Sequence, residues 1–285
     1  MIHSAFKMLT SAALLLLFMP LTISAAQHSD KDELEVSILI KDFDYQELSP
    51  NNQVINKENG LIAGLGLVYH EQYGSLALQL EAALYDGTVD YTGQSQSGSP
   101  ITSRSDAKIG ELNLFMTHWM KQQSQMHFGL YTGLGLYYWQ RNIRSTTTAT
   151  GSPVAGLLEK YLIGYGSLGA KMKFLISDQS NGVIDIRASK LISANIDVDF
   201  QGFGGFDKTS LDIGKQYGYR VALAWEKKLS RVSSMIITPY YEYWKFGESN
   251  TTELTINGQP SGTNILEPKS ETSNVGLNIG FRQIF

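Results

Sequence analysis

The chain has 285 residues, no Cys, 27 Gly, 15 Tyr and a formal charge of −4. Charged residues make up 18% and aromatic residues 11%. That balance argues against disorder, which needs few aromatics and high net charge, and against a nucleic-acid module, which would be basic. Without Cys, disulfide scaffolds, thiol nucleophiles and Cys-ligated metals are excluded together.

Residues 1–26 divide into three parts. Lys7 is the only formal charge in a short leading region, and Met8 to Ile23 is almost wholly apolar. Ser24-Ala25-Ala26 then places small residues before Gln27. This is the layout of a cleaved secretory signal peptide. Residues 27–285 are expected as the mature, single domain. No later segment carries the ~18 uninterrupted apolar residues of a membrane helix. An exported chain of this kind is periplasmic, secreted, or inserted as a β-barrel.

Beyond the leader the pattern is period two, which is the signature of strands. Ten strands are expected, near 34–46, 60–71, 75–91, 107–121, 126–144, 157–175, 182–200, 215–229, 233–248 and 272–285. Leu76, Leu78, Leu80, Ala82 and Leu84 share one face; so do Leu112, Leu114 and Met116, and Phe128, Leu130, Leu134 and Leu136. Ile184, Ile186, Ile192, Ile196 and Val198 form another apolar face, with Lys190 as a misfit. Tyr217, Tyr219, Val221, Leu223 and Trp225 follow, then Val275, Leu277, Ile279 and Phe281. A soluble sandwich hides such faces, whereas a membrane barrel turns them to lipid.

Length and connections favour the barrel. Many segments exceed the ~5–6 residues of a typical globular strand and cover the ~9–11 needed to span tilted. The turns at 71–75, 121–124, 177–182 and 229–233 are short. The connections near 47–59, 92–106, 145–156, 201–214 and 249–271 are longer and rich in Ser, Thr, Gly and Asn. Short turns at one end and long loops at the other are the asymmetry of outer-membrane barrels. The expected fold class is all-β: an antiparallel up-and-down transmembrane β-barrel of about ten strands.

The last strand alternates and ends on Phe285, with Gln283 as one departure. It resembles the C-terminal assembly signal of Gram-negative outer-membrane β-barrels. The resemblance implies outer-membrane location and recognition by the barrel assembly machinery through Phe285. Tyr137-Tyr138-Trp139, Tyr240-Tyr241, Tyr243-Trp244, Tyr217, Tyr219 and Trp119 lie near strand ends, where interfacial girdles need amphipathic rings. The inward parity carries Glu35, Lys41, Glu81, Glu111, Arg141, Lys171, Lys173, Asp185, Arg187, Arg220, Glu226, Glu242 and Arg282. Buried charges must be paired or hydrated, so a polar lumen closed by ion pairs is expected.

Three upward strands end in acids: Asp42 and Asp44, Asp86 and Asp90, Asp197 and Asp199. Gathered at the extracellular mouth, they would form a ligand- or cation-binding rim. Ten long strands with an acidic mouth resemble the omptin proteases, whose architecture would cover nearly the whole mature chain. That family sets paired carboxylates on one wall against an Asp-His pair on the other. Here Asp86 and Asp90 stand for the first pair, but position 199 is Asp rather than His.

No nucleophile constellation, phosphate cradle, metal or cofactor motif is legible. Arg144, Lys160 and Lys245, near the outer strand ends, are candidates for contact with outer-membrane lipid and lipopolysaccharide phosphates. The expected function is a non-enzymatic, closed outer-membrane barrel whose long loops serve surface binding, adhesion or envelope integrity. The alternatives are an omptin-like hydrolase and a narrow channel.

Overall fold

A computed structural model describes residues 32–95, 98–120 and 126–285. The expected leader at 1–26 and the expected turn at 121–124 lie outside the described residues. Ten antiparallel strands close on themselves. They are β1 (Asp32–Leu48), β2 (Val54–Tyr73), β3 (Leu76–Gln94), β4 (Pro100–Trp119) and β5 (Met126–Ile143), then β6 (Leu157–Ser177), β7 (Ser180–Asp199), β8 (Tyr217–Lys228), β9 (Ser233–Phe246) and β10 (Lys269–Ile284). Each pairs with its sequence neighbours, and β1 closes the sheet on β10 from Glu33↔Ile284 to Leu48↔Lys269. Closure leaves no edge of these ten strands open in the lipid belt, as a lipid environment requires, and a short strand, Thr209–Asp212, adds to the upper part of β7.

All ten expected strands are present, and the alternation decides their faces. Val36, Ile38 and Ile40 of β1, Leu61 and Leu65 of β2, and Leu134 and Leu136 of β5 are exposed on the outer wall. Ser37, Leu39, Lys41, Phe43 and Tyr45 between or beyond them are buried inside. This is the inverted pattern of a transmembrane barrel: apolar outside, polar and aromatic within. β1 begins and β10 ends at the end of the barrel that carries the short turns 178–179 and 229–232.

The loop end differs from expectation. The connections expected at 47–59 and 92–106 are tips of only 49–53 and 95–99. β1 and β2 stay paired up to Leu48↔Val54, and β3 and β4 up to Gln94↔Pro100. These stretches look like loops in sequence because their outward residues are polar. The strands here rise above the lipid belt. Longer connections occur at 144–156, 200–216 and 247–268. The last carries a hairpin, Thr252–Ile256 with Gln259–Ile265, turning at Asn257 and Gly258. Both turn residues have positive φ, 51° and 76°, as a tight two-residue hairpin turn requires.

Two further differences follow from local geometry. In β7 the pairing with β6 skips Ile192, from Gly164↔Ser193 to Tyr165↔Leu191. One extra residue in a strand flips every side chain beyond it. Ile196 and Val198 are therefore buried inside, not on the outer face of Ile184 and Ile186. The expected aromatic girdle also splits by parity. Tyr217 and Tyr219 are exposed, while Tyr137, Trp139, Tyr240 and Trp244 are buried in the lumen. On the outer wall Tyr219 lies 5.9 Å from Tyr241 and 5.2 Å from Tyr243.

Candidate functional site at the loop end of the barrel

The lumen has three levels. Nearest the termini is a polar cavity of about 890 Å³, lined among others by His70, Glu81, His127, Lys171, Arg220 and Arg282. Ion pairs cross it and continue above it. Arg282 meets Glu33 at 3.2 Å, Glu35 at 3.0 Å and Glu226 at 3.6 Å. Lys171 faces Asp185 at 3.9 Å, and Arg187 lies 3.9 Å from Glu81 and 3.8 Å from Glu242. Lys41 bonds Glu111 at 2.9 Å. The inward charges expected from parity thus form the network.

The middle level is aromatic. Trp139 stacks on Tyr161 with centroids 4.7 Å apart and takes Phe43 and Tyr45 edge-on at 5.4 and 5.0 Å. Tyr165 packs on Trp244 at 4.8 Å. The space left among these rings is about 10 Å³, roughly one water. Gly135 and Gly218 admit the rings: a Cβ on either would stand 2.3 Å from the ring atoms of Tyr165 or Trp244.

Above the rings lies a charged plug. Arg141 of β5 is 1% exposed. Its Nε donates to Glu58 of β2 at 2.6 Å, and its Nη1 donates to Glu47 of β1 at 2.7 Å and to Glu159 of β6 at 2.8 Å. The guanidinium also lies over the Tyr45 ring, 4.7 Å from the centroid. A fourth carboxyl, Glu267, comes from the 247–268 connection and meets the hydroxyls of Tyr45 and Tyr161 at 3.1 and 2.9 Å. Sequence reasoning placed Arg141 correctly but missed its partners. Glu58 and Glu267 lay in segments read as loops, and inward parity alone does not reveal a partner.

The loops pack down on this plug. Phe200, Leu211, Ile213 and Leu254 join the aromatic core, with Phe206 and Ile265 against it. Asp207 pins the hairpin by accepting from the Thr255 hydroxyl at 2.7 Å and the Gly258 amide at 2.8 Å. Those donors, the Gly258 amide first, hold its carboxyl below the usual range. The mouth is thus filled by folded chain.

The acidic rim does not gather at that mouth. Asp42 and Asp44 share the outward parity of Ile40, and Asp86 and Asp90 share that of Leu84. The shift at Ile192 turns Asp197 and Asp199 outward as well. The six carboxyls sit on the outer wall above the apolar belt, among basic neighbours. Asp44 meets Lys57 at 2.8 Å, Asp86 meets Lys108 at 3.7 Å, Asp90 meets Arg104 at 3.8 Å and Asp199 meets Lys208 at 2.9 Å. An omptin-like constellation needs inward groups on facing walls, and these point away from one another.

The expected lipid-contact cations share this collar. Arg144 forks onto Asp106, with Nη2–Oδ1 at 2.6 Å and Nε–Oδ2 at 3.2 Å. Lys245 meets Glu271 at 3.0 Å, and Lys160 stands opposite Asp197. Such exposed pairs contribute little, because water and salt screen them. Replacing Arg144 by Ala should leave the urea midpoint of the barrel in lipid nearly unchanged. Among the described residues His70, His118 and His127 line the terminal cavity, His118 being exposed at its edge.

No protein-family model and no curated protein sequence matches the chain. Among solved structures the fold is similar to the outer membrane protease OmpT from Escherichia coli. Identity is 11%, covering 90% of this chain and 97% of that one, with a TM-score of 0.64. The outer membrane protein OprG from Pseudomonas aeruginosa aligns at 14% identity over 90% of this chain and 97% of that one, with a TM-score of 0.39. At such identities the likeness is one of fold, and a fold alone does not carry an activity. The chain is a closed ten-stranded barrel with the architecture of the outer-membrane β-barrel proteins.

Proposed function

We propose that this is a non-enzymatic outer-membrane barrel that works at the cell surface through its loops, in surface binding, adhesion or envelope integrity. One observation carries the reading. Between the terminal cavity and the loop end, the lumen is filled first by aromatic rings and then by the Arg141 plug. A solute has no path through, and the mouth offers folded loops rather than a cleft.

In this reading the start of β1, the end of β10 and the short turns face the periplasm, and the connections 144–156, 200–216 and 247–268 face outside. Phe203 at 43% exposure and Leu266 at 42% are apolar groups available there. β10 and Phe285 serve as the assembly signal for the barrel machinery. Arg144, Lys160 and Lys245 stand where lipopolysaccharide phosphates would lie, shared with their carboxylate neighbours. The acidic collar of Asp42, Asp44, Asp86, Asp90, Asp197 and Asp199 would meet cations or basic ligands from the side of the barrel.

Planar-bilayer recording tests the closed lumen. The purified protein should migrate heat-modifiably on gels and give no discrete conductance steps. Reproducible steps would overturn closure, and hydrolysis of basic peptides that depends on Asp86 or Asp199 would overturn the non-enzymatic reading. Excising the 252–265 hairpin should preserve heat-modifiable migration while lowering adhesion of expressing cells or raising their permeability to an apolar dye. No change in either would remove the loops from the function.

A further inference from the structure

Around Arg141 the described structure holds four carboxyls and one guanidinium in a buried, packed site. Three of the four touch Arg141. Glu267 does not; its neighbours are two phenols. The Tyr45 hydroxyl lies 3.2 Å from Glu47 Oε1 and 3.1 Å from Glu267 Oε1. The Tyr161 hydroxyl lies 3.0 Å from Glu159 Oε2 and 2.9 Å from the same Glu267 Oε1.

Each phenol carries one proton, so the two can serve only two of these four contacts. A third hydrogen bond needs a proton carried by a carboxyl. Glu47 and Glu159 already receive N–H groups from Arg141 and are the better anions. Glu267 is the one left to hold the proton, donating it to a phenol oxygen while the phenols donate to Glu47 and Glu159. Ionised, it would bring an unpaired charge into a buried cluster already rich in carboxylates, which is costly.

We propose that Glu267 is a proton latch: neutral, it holds the base of the 252–265 hairpin down on the barrel plug, and ionised, it releases it. Glu267 is placed to do this. Its amide donates to Ser249 Oγ at 2.8 Å, and the Ser249 amide donates to the Glu267 carbonyl at 2.9 Å. The two residues form the neck of the connection that carries the hairpin. The charged and titratable groups facing the latch are Tyr45 and Glu47 from β1, Arg141 from β5, and Glu159 and Tyr161 from β6, with Glu58 of β2 and Tyr91 of β3 beside Arg141. β10 presents the neutral Ser270 and Thr272.

Burial first, then the charges of Glu159 and Glu47, push the Glu267 carboxyl well above the usual carboxylate range. A group whose value is raised in the closed form stabilises that form fully below its ordinary value. The stabilisation is lost as pH rises through the raised value. The latch therefore opens on the alkaline side. Asp207, held below the usual range at the hairpin tip, works in the opposite sense and lets go only in acid.

The test uses the full-length protein in lipid bilayers. The chain has no Cys, so Gln259→Cys with a nitroxide label reports on the hairpin alone. The ratio of mobile to immobile label is followed from about pH 5 to about pH 9; between the ordinary and the raised carboxyl values it should rise about tenfold per pH unit and then level off, as one linked proton requires. Glu267→Gln should keep the label immobile across the range. Infrared spectra of the unmodified barrel should show a protonated carboxyl stretch that fades over the same pH interval. A label ratio independent of pH overturns the latch, as does a transition that survives Glu267→Gln. If that variant does not fold, the infrared band decides: its loss without mobilisation of the label also overturns it.

Discussion

Arg141→Met is expected to destabilise the barrel by about 3–5 kcal/mol, the usual cost of removing one partner from a buried ion pair. Met fills a similar volume, so the loss is electrostatic more than steric. Glu47, Glu58 and Glu159 would each lose a hydrogen bond of 2.6–2.8 Å to the guanidinium. The measurement is the urea dependence of heat-modifiable migration for barrels folded into lipid vesicles. The penalty should shrink on acidification, because protons then neutralise the stranded carboxylates. A substitution that left the midpoint unchanged at neutral pH would mean the three carboxyls are already neutral in the native barrel.

Trp139→Ala should cost a similar amount, about 3–5 kcal/mol, for a different reason. The ring is 2% exposed and sits at the centre of the aromatic level. Its loss forfeits the stack on Tyr161 and the edges of Phe43 and Tyr45. Those neighbours are anchored on β1 and β6 of the closed barrel and cannot collapse into the gap. The penalty should be independent of pH, which separates it from Arg141→Met in the same assay. Trp139→Phe, which retains an aromatic ring there, should recover part of the loss.

The strands were legible because period-two alternation is a local property. Leu76 to Leu84, or Val275 to Phe281, declare a strand and its two faces without any knowledge of what lies beside them. The inward charges followed from the same parity, and Lys41, Arg187 and Arg282 are found in the lumen where it puts them. The hairpin turning at Asn257-Gly258 was missed, because 249–271 read simply as a long polar loop.

Parity fails where one residue is added, as at Ile192. That shift turned Asp197 and Asp199 outward, the face on which Asp42, Asp44, Asp86 and Asp90 already lie by plain parity, so no acidic mouth forms. Nor does alternation state height along the barrel axis. Tyr137 and Tyr138 are adjacent in sequence, yet one is buried in the lumen and the other lies on the outer wall. Glu47 and Glu58 looked like loop residues because the outward residues beside them are polar, and only pairing reveals that the strands continue above the lipid.

The sequence by itself determined the number of strands, their two faces except beyond the extra residue in β7, and the charge of the lumen, since each depends on neighbours two residues apart. Tertiary structure alone decided what those charges meet. Arg141 and Glu58 are 83 residues apart in sequence, and Tyr45 and Glu267 are 222 apart. Their contacts exist because closing ten tilted strands brings distant side chains into one narrow space, where burial makes every unpaired charge costly.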